Sequence, residues 1–384
     1  MASTAVAELD VFSSSPEAAA TRLRDWLSDR GEPAYRVGQI VPRLWQRPVA
    51  SWQDATDLPA SLRQELDRAF PVPRLGVGAQ QVSKDGTEKI LWTLSDGQAI
   101  ESVLIPEGAR RTLCISSQVG CALGCVFCAT GRMGFHRQLS AAEIALQVRE
   151  LVLLRPESKP TNVVFMGMGE PLLNWSAVDT ALSILNQPNG FGIGARHITI
   201  STVGILPNLA LLAKRPEQFR LAVSLHAPTS DVRRELMPIE KKYPLRDLLS
   251  ALSQFRRRIT LEYVLIAGVN DSLVHADQLA RLAAPLGALV NLLPLHPGGA
   301  PDLGASTRRA MLDFERRLKS HGIEAVLRRS RGLDISAACG QLRVESDRRR
   351  KVAPQEHTGV EELGGVELHD HPADSERGTH GSGA

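Results

Sequence analysis

The chain has 384 residues, of which 43% are hydrophobic and 23% are charged, with five cysteines and a formal net charge of +3. This length suits one large domain with an appendage or two domains of ordinary size. No apolar run reaches the roughly eighteen residues of a membrane span, and the N-terminus carries acids where a signal peptide carries bases. We therefore expect a cytoplasmic protein with no membrane partner.

The net charge is distributed unevenly along the chain. Residues 352–384 contain seven acidic residues and one arginine, so they hold −6 and the remainder of the chain holds +9. A basic body favours a polyanionic partner such as nucleic acid, although ordinary solvated charge gives the same balance.

Three regions precede the main body of the chain. Residues 1–16 are small and polar, which predicts disorder. Residues 17–75 contain short amphipathic runs punctuated by Gly and Pro, and they predict a small helical N-terminal domain. Residues 76–110 include two strand-like runs around Asp96-Gly97, which predict a β-hairpin linker.

Residues 111–345 alternate apolar strand-like runs with helical stretches. The six strand-like runs are TLCIS, NVVFMG, HITIST, RLAVSL, LEYVLI and VNLLPL. Apolar strands separated by helices predict an α/β fold with a parallel sheet buried on both faces, either a partial barrel or an open doubly wound sheet. In both architectures the active site lies at the carboxyl ends of the strands. Residues 346–384 predict a disordered acidic tail, whose histidines either bind metal or are simply solvated.

Three cysteines, Cys121, Cys125 and Cys128, lie in the stretch SSQVGCALGCVFCATG with the spacing CxxxCxxC. A structural zinc site has four ligands, usually supplied as two pairs, and here the other thiols are Cys114 and Cys339. Three thiolates on one short loop suit a [4Fe-4S] cluster with one iron left open to a substrate or cofactor. The motif therefore predicts such a cluster, with zinc as the alternative.

This spacing resembles the signature of the radical S-adenosylmethionine (radical SAM) superfamily. In that superfamily the open iron chelates S-adenosylmethionine, and an electron from the cluster cleaves the sulfonium to methionine and a 5′-deoxyadenosyl radical. The resemblance implies both cofactors and a partial (β/α)6 TIM-like barrel of the radical SAM type. It also assigns cofactor contacts at the strand ends. In MGMGEP, Gly169 would permit close backbone approach and Glu170 would accept from an ammonium group. Further contacts would come from Ser201, Ser224, Leu225 and His226.

Longer motifs resemble one family within this superfamily. RTLCISSQVGCALGCVFCATGRMGFHR, VFMGMGEPLLN and RRSRGLDISAACGQL resemble the RlmN family of radical methyltransferases, which act on carbon 2 of adenine in RNA. The resemblance runs from about residue 18 to residue 343. It implies 23S rRNA and tRNA as substrates, an RNA-binding role for the N-terminal helices, a monomer, and a low-potential electron donor such as flavodoxin. Related Cfr-type enzymes methylate carbon 8, and this remains the alternative.

The two remaining cysteines suit the chemistry that this resemblance implies. Carbon 2 of adenine is electron-poor, so a protein group must carry the methyl and deliver it as a carbon radical. Cys339 would be the carrier, one S-adenosylmethionine would methylate it and a second would be cleaved, which makes two per turnover. Cys114 would then release the product by forming a disulfide with Cys339. Glu101 would accept the proton from carbon 2.

One position departs from the family pattern. Where the family has an Asn after the sixth strand that contacts S-adenosylmethionine, this chain has His296, and we expect the imidazole to keep that contact. Three arginines in LRRSRG precede the Cys339 segment and would grip RNA phosphates, unless they form an ordinary solvated patch. Two further rival functions remain: a zinc-stabilised RNA-binding module without catalysis, and a radical enzyme with a substrate other than RNA.

Overall fold

A computed structural model of the chain describes residues 10–255, 257–296, 300 and 302–342. These residues include every candidate site residue. The predicted disorder of residues 1–9 and the predicted acidic tail at 346–384 lie outside the described residues. No helix within the described ranges is long and apolar enough to cross a bilayer.

The helices and strands alternate through most of the described chain. The α-helices are α1 Pro16–Ser28, α2 Arg36–Leu44, α3 Ala60–Ala69, α4 Ala129–Arg132, α5 Ala141–Leu154, α6 Trp175–Asn186, α7 Leu206–Lys214, α8 Ser230–Leu236, α9 Leu245–Leu252, α10 Leu273–Ala283 and α11 Arg308–Ser320. The strands are β1 Gly76–Val82, β2 Glu88–Thr93, β3 Ala99–Glu107, β4 Arg110–Cys114, β5 Gln118–Gly120, β6 Phe135–Gln138, β7 Asn162–Phe165, β8 Ile198–Thr202, β9 Arg220–Ser224, β10 Ile259–Leu265, β11 Leu289–Pro294 and β12 Ala325–Leu327.

The parallel part of the main sheet confirms the predicted partial barrel. Its strands follow the order β4-β7-β8-β9-β10-β11-β12, and each neighbouring pair is parallel. The six predicted strands are all present. The seventh, β12, has three residues and was missed because so short a segment gives no recognisable apolar run. The sheet has β1 at one edge and β12 at the other, so it does not close through these strands.

The predicted β-hairpin linker is part of the same sheet. β2 and β3 pair antiparallel around Gly97, whose φ is +82°, and β3 pairs antiparallel with β4. The hairpin joins the sheet because the outer edge of the first barrel strand needs backbone partners and because Trp92, Ile100 and Val103 are buried in the core. It extends the barrel sheet instead of linking two separate bodies.

The N-terminal helices pack directly on the barrel. Trp45 lies between Phe12 and Phe191, with ring centroids 5.8 and 5.6 Å away. The buried guanidinium of Arg149, on α5, donates to the carbonyl oxygens of Leu44 at 2.9 Å and Val49 at 2.6 Å. The described residues accordingly form one compact unit. Because Val11 and Phe12 are buried here, the prediction of disorder for residues 1–16 is wrong over its described part.

Candidate active site

The cysteine loop begins immediately after β5 and is held by backbone hydrogen bonds. Gly120 has φ +74° and lies against the backbone of Gly134, which leaves no space for a side chain. The N–H of Cys121 donates to the Gly134 carbonyl at 2.8 Å, and the N–H of Cys128 donates to the Cys125 carbonyl at 3.1 Å. As a result, all three thiols of the motif face one cavity of about 170 Å³.

The environment of these thiols suits a metal cluster. Burial raises the pKa of Cys121 to about 12 and also raises the pKa of Cys125, and the neighbouring thiolates and Glu170 add to both shifts. Three thiols of this kind ionise together only when positive charge, such as that of iron, compensates them. Within the described ranges, no group of three or more His, Cys, Asp or Glu is arranged to hold a single metal ion. The donor set fits a [4Fe-4S] cluster better than a structural zinc.

A glycine turn after β7 forms the second wall of the cavity. An ideal Cβ on Gly167 would lie 2.6 Å from the Ile115 carbonyl oxygen, and one on Gly169, whose φ is +98°, would lie 2.5 Å from Gln118 Cβ. The N–H of Met168 donates to Ser116 Oγ at 2.9 Å. The turn therefore packs against the chain that leads into the cysteine loop, and glycine is required at both positions.

Glu170 is fixed at the end of this turn and lines the cavity. Its Oε1 accepts from Thr202 Oγ1 at 2.6 Å and from the Leu172 N–H at 3.0 Å, and its Oε2 accepts from the Val203 N–H at 3.0 Å. Burial nevertheless raises the pKa of Glu170 to about 7, against the effect of these donors. Oε2 retains acceptor capacity, so the carboxylate can still receive a bond from a ligand ammonium.

Most of the other predicted cofactor contacts also line the cavity, and one does not. Ser201 and Ser224 stand at the carboxyl ends of β8 and β9 and face it. His226 lines it with a left-handed φ of +57°. Leu225 is fully buried in the core and is absent from the cavity wall, and its N–H donates to the Glu262 carbonyl at 3.1 Å. Leu225 directly follows β9, and its side chain is buried in the core between Ser224 and His226, which face the cavity.

The imidazole of His226 is held as a neutral donor. Its Nδ1 accepts from the Val264 N–H at 3.1 Å, which leaves the proton on Nε2. Burial, with the positive charge of Arg233, lowers the pKa of His226 to about 3. The edge of the ring packs on Phe127, with centroids 4.7 Å apart. A neutral N–H donor at this position suits an acceptor on a bound ligand.

The structure brings Cys114 and Cys339 together, although they are far apart in the sequence. Cys339 lines the cavity mouth, where it is exposed, and its segment is tied to the cysteine loop by the hydrogen bond from the Ala129 N–H to the Gly340 carbonyl, 2.8 Å. Burial and the adjacent Cys339 charge raise the pKa of Cys114. Both are free thiols in this structure.

The pKa of Cys339 is also raised, because protein atoms surround the thiol even though the cavity leaves it accessible. The positive charge of Arg328 opposes this shift and favours the thiolate. Arg328 is one of the three arginines predicted to grip RNA, and its contribution to the thiol site was missed. The only sequence feature that pointed to this contribution was the position of Arg328 shortly before the Cys339 segment.

Glu101 is buried on β3, the strand that pairs with the strand of Cys114, and does not line the cavity. Its neighbour Val103 pairs with Cys114 across the strands, so Glu101 and Cys114 share one face of the sheet. Its Oε1 lies 3.5 Å from Lys89 Nζ, and both side chains are almost fully buried. This ion pair was not predicted, because a lysine inside a strand usually faces solvent.

Two further residues complete the cavity wall. His296 lines it, its Nε2 lies 2.6 Å from Ser330 Oγ, and burial lowers its pKa. Glu262 on β10 was missed; it lines the cavity, accepts from Asn291 Nδ2 at 2.9 Å, and burial raises its pKa. An acidic residue inside the apolar run LEYVLI was the available signal for it.

Comparisons with known proteins agree with this geometry. The radical SAM superfamily pattern matches residues 115–280, which hold the cysteine motif and the strand ends as far as β10. A probable dual-specificity RNA methyltransferase RlmN from Gemmatimonas aurantiaca is 56% identical over 352 residues, covering 91% of this chain and 98% of that protein. Another from Geobacillus kaustophilus is 43% identical and covers 84% of this chain and 90% of that protein.

A solved structure gives the same result for the fold. The crystal structure of a radical SAM methyltransferase from Sphaerobacter thermophilus is 42% identical in sequence and superposes with a TM-score of 0.82. It covers 87% of this chain and 99% of that chain. The similarity therefore extends beyond the superfamily core.

Proposed function

This chain belongs to the RlmN family of radical SAM RNA methyltransferases, and from that membership we propose that it methylates carbon 2 of adenosine in 23S rRNA. We include the adenosine 3′ of the anticodon in tRNA as a second substrate. The observation that carries the proposal is the pairing of Cys339 and Cys114 beside the cavity that the three motif cysteines line. A methyl carrier and a thiol that resolves it must be adjacent, and these two are.

Cys121, Cys125 and Cys128 would hold the cluster, and Glu170 and His226 would orient S-adenosylmethionine. When bound, these groups supply the methyl and the radical chemistry, with two S-adenosylmethionine molecules per turnover. The chain contributes binding, exclusion of water, and charge. Ser201, Ser224 and His296 supply further polar contacts on the same wall.

The thiol pair supplies the chemistry of the chain itself. Cys339 would carry the methyl as a thioether and become covalently linked to the adenine through that carbon. Glu101 would take the proton that leaves carbon 2. The Cys114 thiolate would then attack Cys339 Sγ, forming the S–S bond and breaking the S–CH₂ bond, and the departing carbon would take a proton to become the methyl product. A dithiol reductant returns the disulfide to two thiols.

The direct test uses the anaerobically reconstituted enzyme and unmodified 23S rRNA fragments, with an unmodified tRNA as a separate arm. Mass spectrometry of the nucleosides is expected to find 2-methyladenosine. If 8-methyladenosine forms instead, the Cfr-type reaction replaces this proposal. A colourless zinc protein without iron or sulfide would support the non-catalytic rival.

The cysteine variants test the assigned roles. Cys339→Ala is expected to abolish methylation while S-adenosylmethionine cleavage continues. Cys114→Ala is expected to accumulate a covalent protein–RNA adduct, because the carrier can link to RNA but cannot be released. Methylation that survives in Cys339→Ala contradicts the carrier assignment, and a Cys114→Ala enzyme that turns over normally contradicts the release step.

We also propose a cytoplasmic monomer that receives electrons from a flavodoxin-like donor. The RNA substrates of the family support the compartment. Reduction of the cluster by purified flavodoxin and the mass from light scattering test the donor and the monomer.

A further inference from the structure

The Cys339 segment is held by a part of the chain far away in sequence. β1 and β2 are joined by a turn at residues 83–87, and this turn lies against residues 332–337, just before Cys339. Ser83 Oγ donates to Asp334 Oδ1 at 2.5 Å, and the Lys84 N–H donates to Asp334 Oδ2 at 3.2 Å. One carboxylate of the segment thus receives two bonds from the turn.

A second carboxylate makes the reciprocal contact. Asp85 Oδ2 accepts from the Gly332 N–H at 3.1 Å, and Asp85 Oδ1 accepts from the Thr87 N–H at 2.9 Å. Gly332 has φ +62°, and a Cβ there would lie 2.9 Å from Thr87 Cγ2 and 2.8 Å from Ala337 Cβ. The turn and the segment therefore fit closely, with reciprocal hydrogen bonds and no space for a side chain between them.

A buried lysine connects this contact to the proposed proton acceptor. Lys89 Nζ lies 3.5 Å from the Ser336 carbonyl oxygen and 3.5 Å from Glu101 Oε1. Ser336 adopts a left-handed φ of +51°, which is unfavourable for a residue with a side chain. The backbone therefore changes direction where the ammonium is bound, three residues before Cys339.

We propose that the turn at residues 83–87, together with Lys89, is the positioning element for the Cys339 thiol. It holds residues 332–337 so that the thiol reaches both the cavity and Cys114. This inference rests on the proposed function, because the two thiol reactions require Cys339 to meet two different partners. It also gives a role to β1–β3, which lie outside the parallel barrel.

The contact between Ser83 and Asp334 is the best place to test this proposal. Both lie away from the cavity, so Ser83→Ala and Asp334→Ala leave every proposed cluster and S-adenosylmethionine ligand in place. Asp231→Ala is the matched control, since the Asp231 side chain is 90% exposed and pairs only with Arg234 among the described residues. The full-length, cluster-loaded protein is used throughout.

The first measurement is the rate at which iodoacetamide alkylates Cys339, followed by peptide mass spectrometry. Ser83→Ala is expected to raise this rate about fivefold, the factor expected when one hydrogen bond that holds the segment is lost. Asp334→Ala is expected to raise it at least as much, because it also removes the bond from the Lys84 N–H. The double variant should add little to Asp334→Ala, because that variant already removes the contact with Ser83. An unchanged alkylation rate, full additivity, or an equal effect of Asp231→Ala overturns the proposal.

The second measurement is the kinetics of RNA methylation. A misplaced carrier is expected to lower kcat by roughly 10-fold to 100-fold, with the KM for RNA and the cleavage of S-adenosylmethionine unchanged. An unchanged kcat beside faster alkylation overturns the positioning role. If the wild-type enzyme methylates no RNA, the proposed function fails, and the alkylation rates alone still decide whether the turn holds Cys339.

Discussion

Replacement of Gly169 by alanine tests the close contact on which the cavity wall depends. The matched control is Gly192→Ala, because Gly192 also has a positive φ, +69°, but has no atom within 4 Å of a new Cβ. There the only cost is the left-handed backbone, about 1 kcal/mol. Gly169→Ala has the same backbone strain, and its new Cβ must also displace Gln118, whose own Cβ would be 2.5 Å away.

The cost of moving Gln118 follows from its hydrogen bonds. Gln118 Oε1 accepts from the Glu170 N–H at 2.8 Å, and the Gln118 N–H donates to the Met168 carbonyl at 3.2 Å. Losing one buried bond of this kind costs about 1–3 kcal/mol. The free energy of unfolding should therefore fall by about 3 kcal/mol in Gly169→Ala and by about 1 kcal/mol in Gly192→Ala.

Urea denaturation of the cluster-loaded variants measures both losses. At an unchanged m-value, the shift of each midpoint from that of the wild type gives the loss in free energy of unfolding. The affinity for S-adenosylmethionine should fall only in Gly169→Ala, because that turn presents Glu170 to the cavity. Equal losses of stability in the two variants would refute the argument, since they would mean that the contact with Gln118 contributes nothing.

Two further predictions concern buried charges. The Glu170 carboxyl has a pKa of about 7 in the fold against 4.5 for the free group, so the folded state binds its proton more tightly between these values. The contribution of Glu170 to the free energy of unfolding should therefore fall by on the order of 3 kcal/mol as the pH rises from 4.5 to 7. Denaturation at several pH values measures this dependence, and Glu170→Gln should remove it. A pH dependence that is the same in Glu170→Gln contradicts the prediction. Arg149→Met leaves the carbonyls of Leu44 and Val49 without their donor and should cost about 3 kcal/mol, again by urea denaturation; a loss below about 1 kcal/mol would show that the N-terminal helices do not depend on this side chain.

The barrel and the cluster motif were predictable because their signals are local. Apolar runs separated by amphipathic helices reflect burial on both faces of a parallel sheet, and CxxxCxxC sets three thiols on one loop whatever the rest of the chain does. The strand-end positions of Glu170 and His226 followed from the same pattern. The contact assigned to Leu225 stays a prediction: its side chain is buried in the core, and the motif SLHA does not reveal which of its side chains faces the cavity.

The remaining features depend on contacts between distant parts of the chain. Strands are predicted from alternating polar and apolar residues. That pattern does not indicate that Lys89 and Glu101 form an ion pair inside the protein. The joining of the hairpin to the sheet is set by the unpaired edge of β4, which appears only once the barrel forms. Phe12 lies in a short polar stretch and packs on Trp45, a contact that no local pattern indicates.

The open arrangement of the main sheet has a consequence for the size of molecule that can be handled. A fully closed barrel has strands on every side of its axis, so a substrate reaches its active site only from the face at the carboxyl ends of the strands. Here β1 and β12 remain separate edges, so the sheet does not surround its axis completely. This leaves one side on which a polymer could lie while a single unit turns inward. The open sheet is thus compatible with a polymeric substrate, whereas a free nucleoside would not require it.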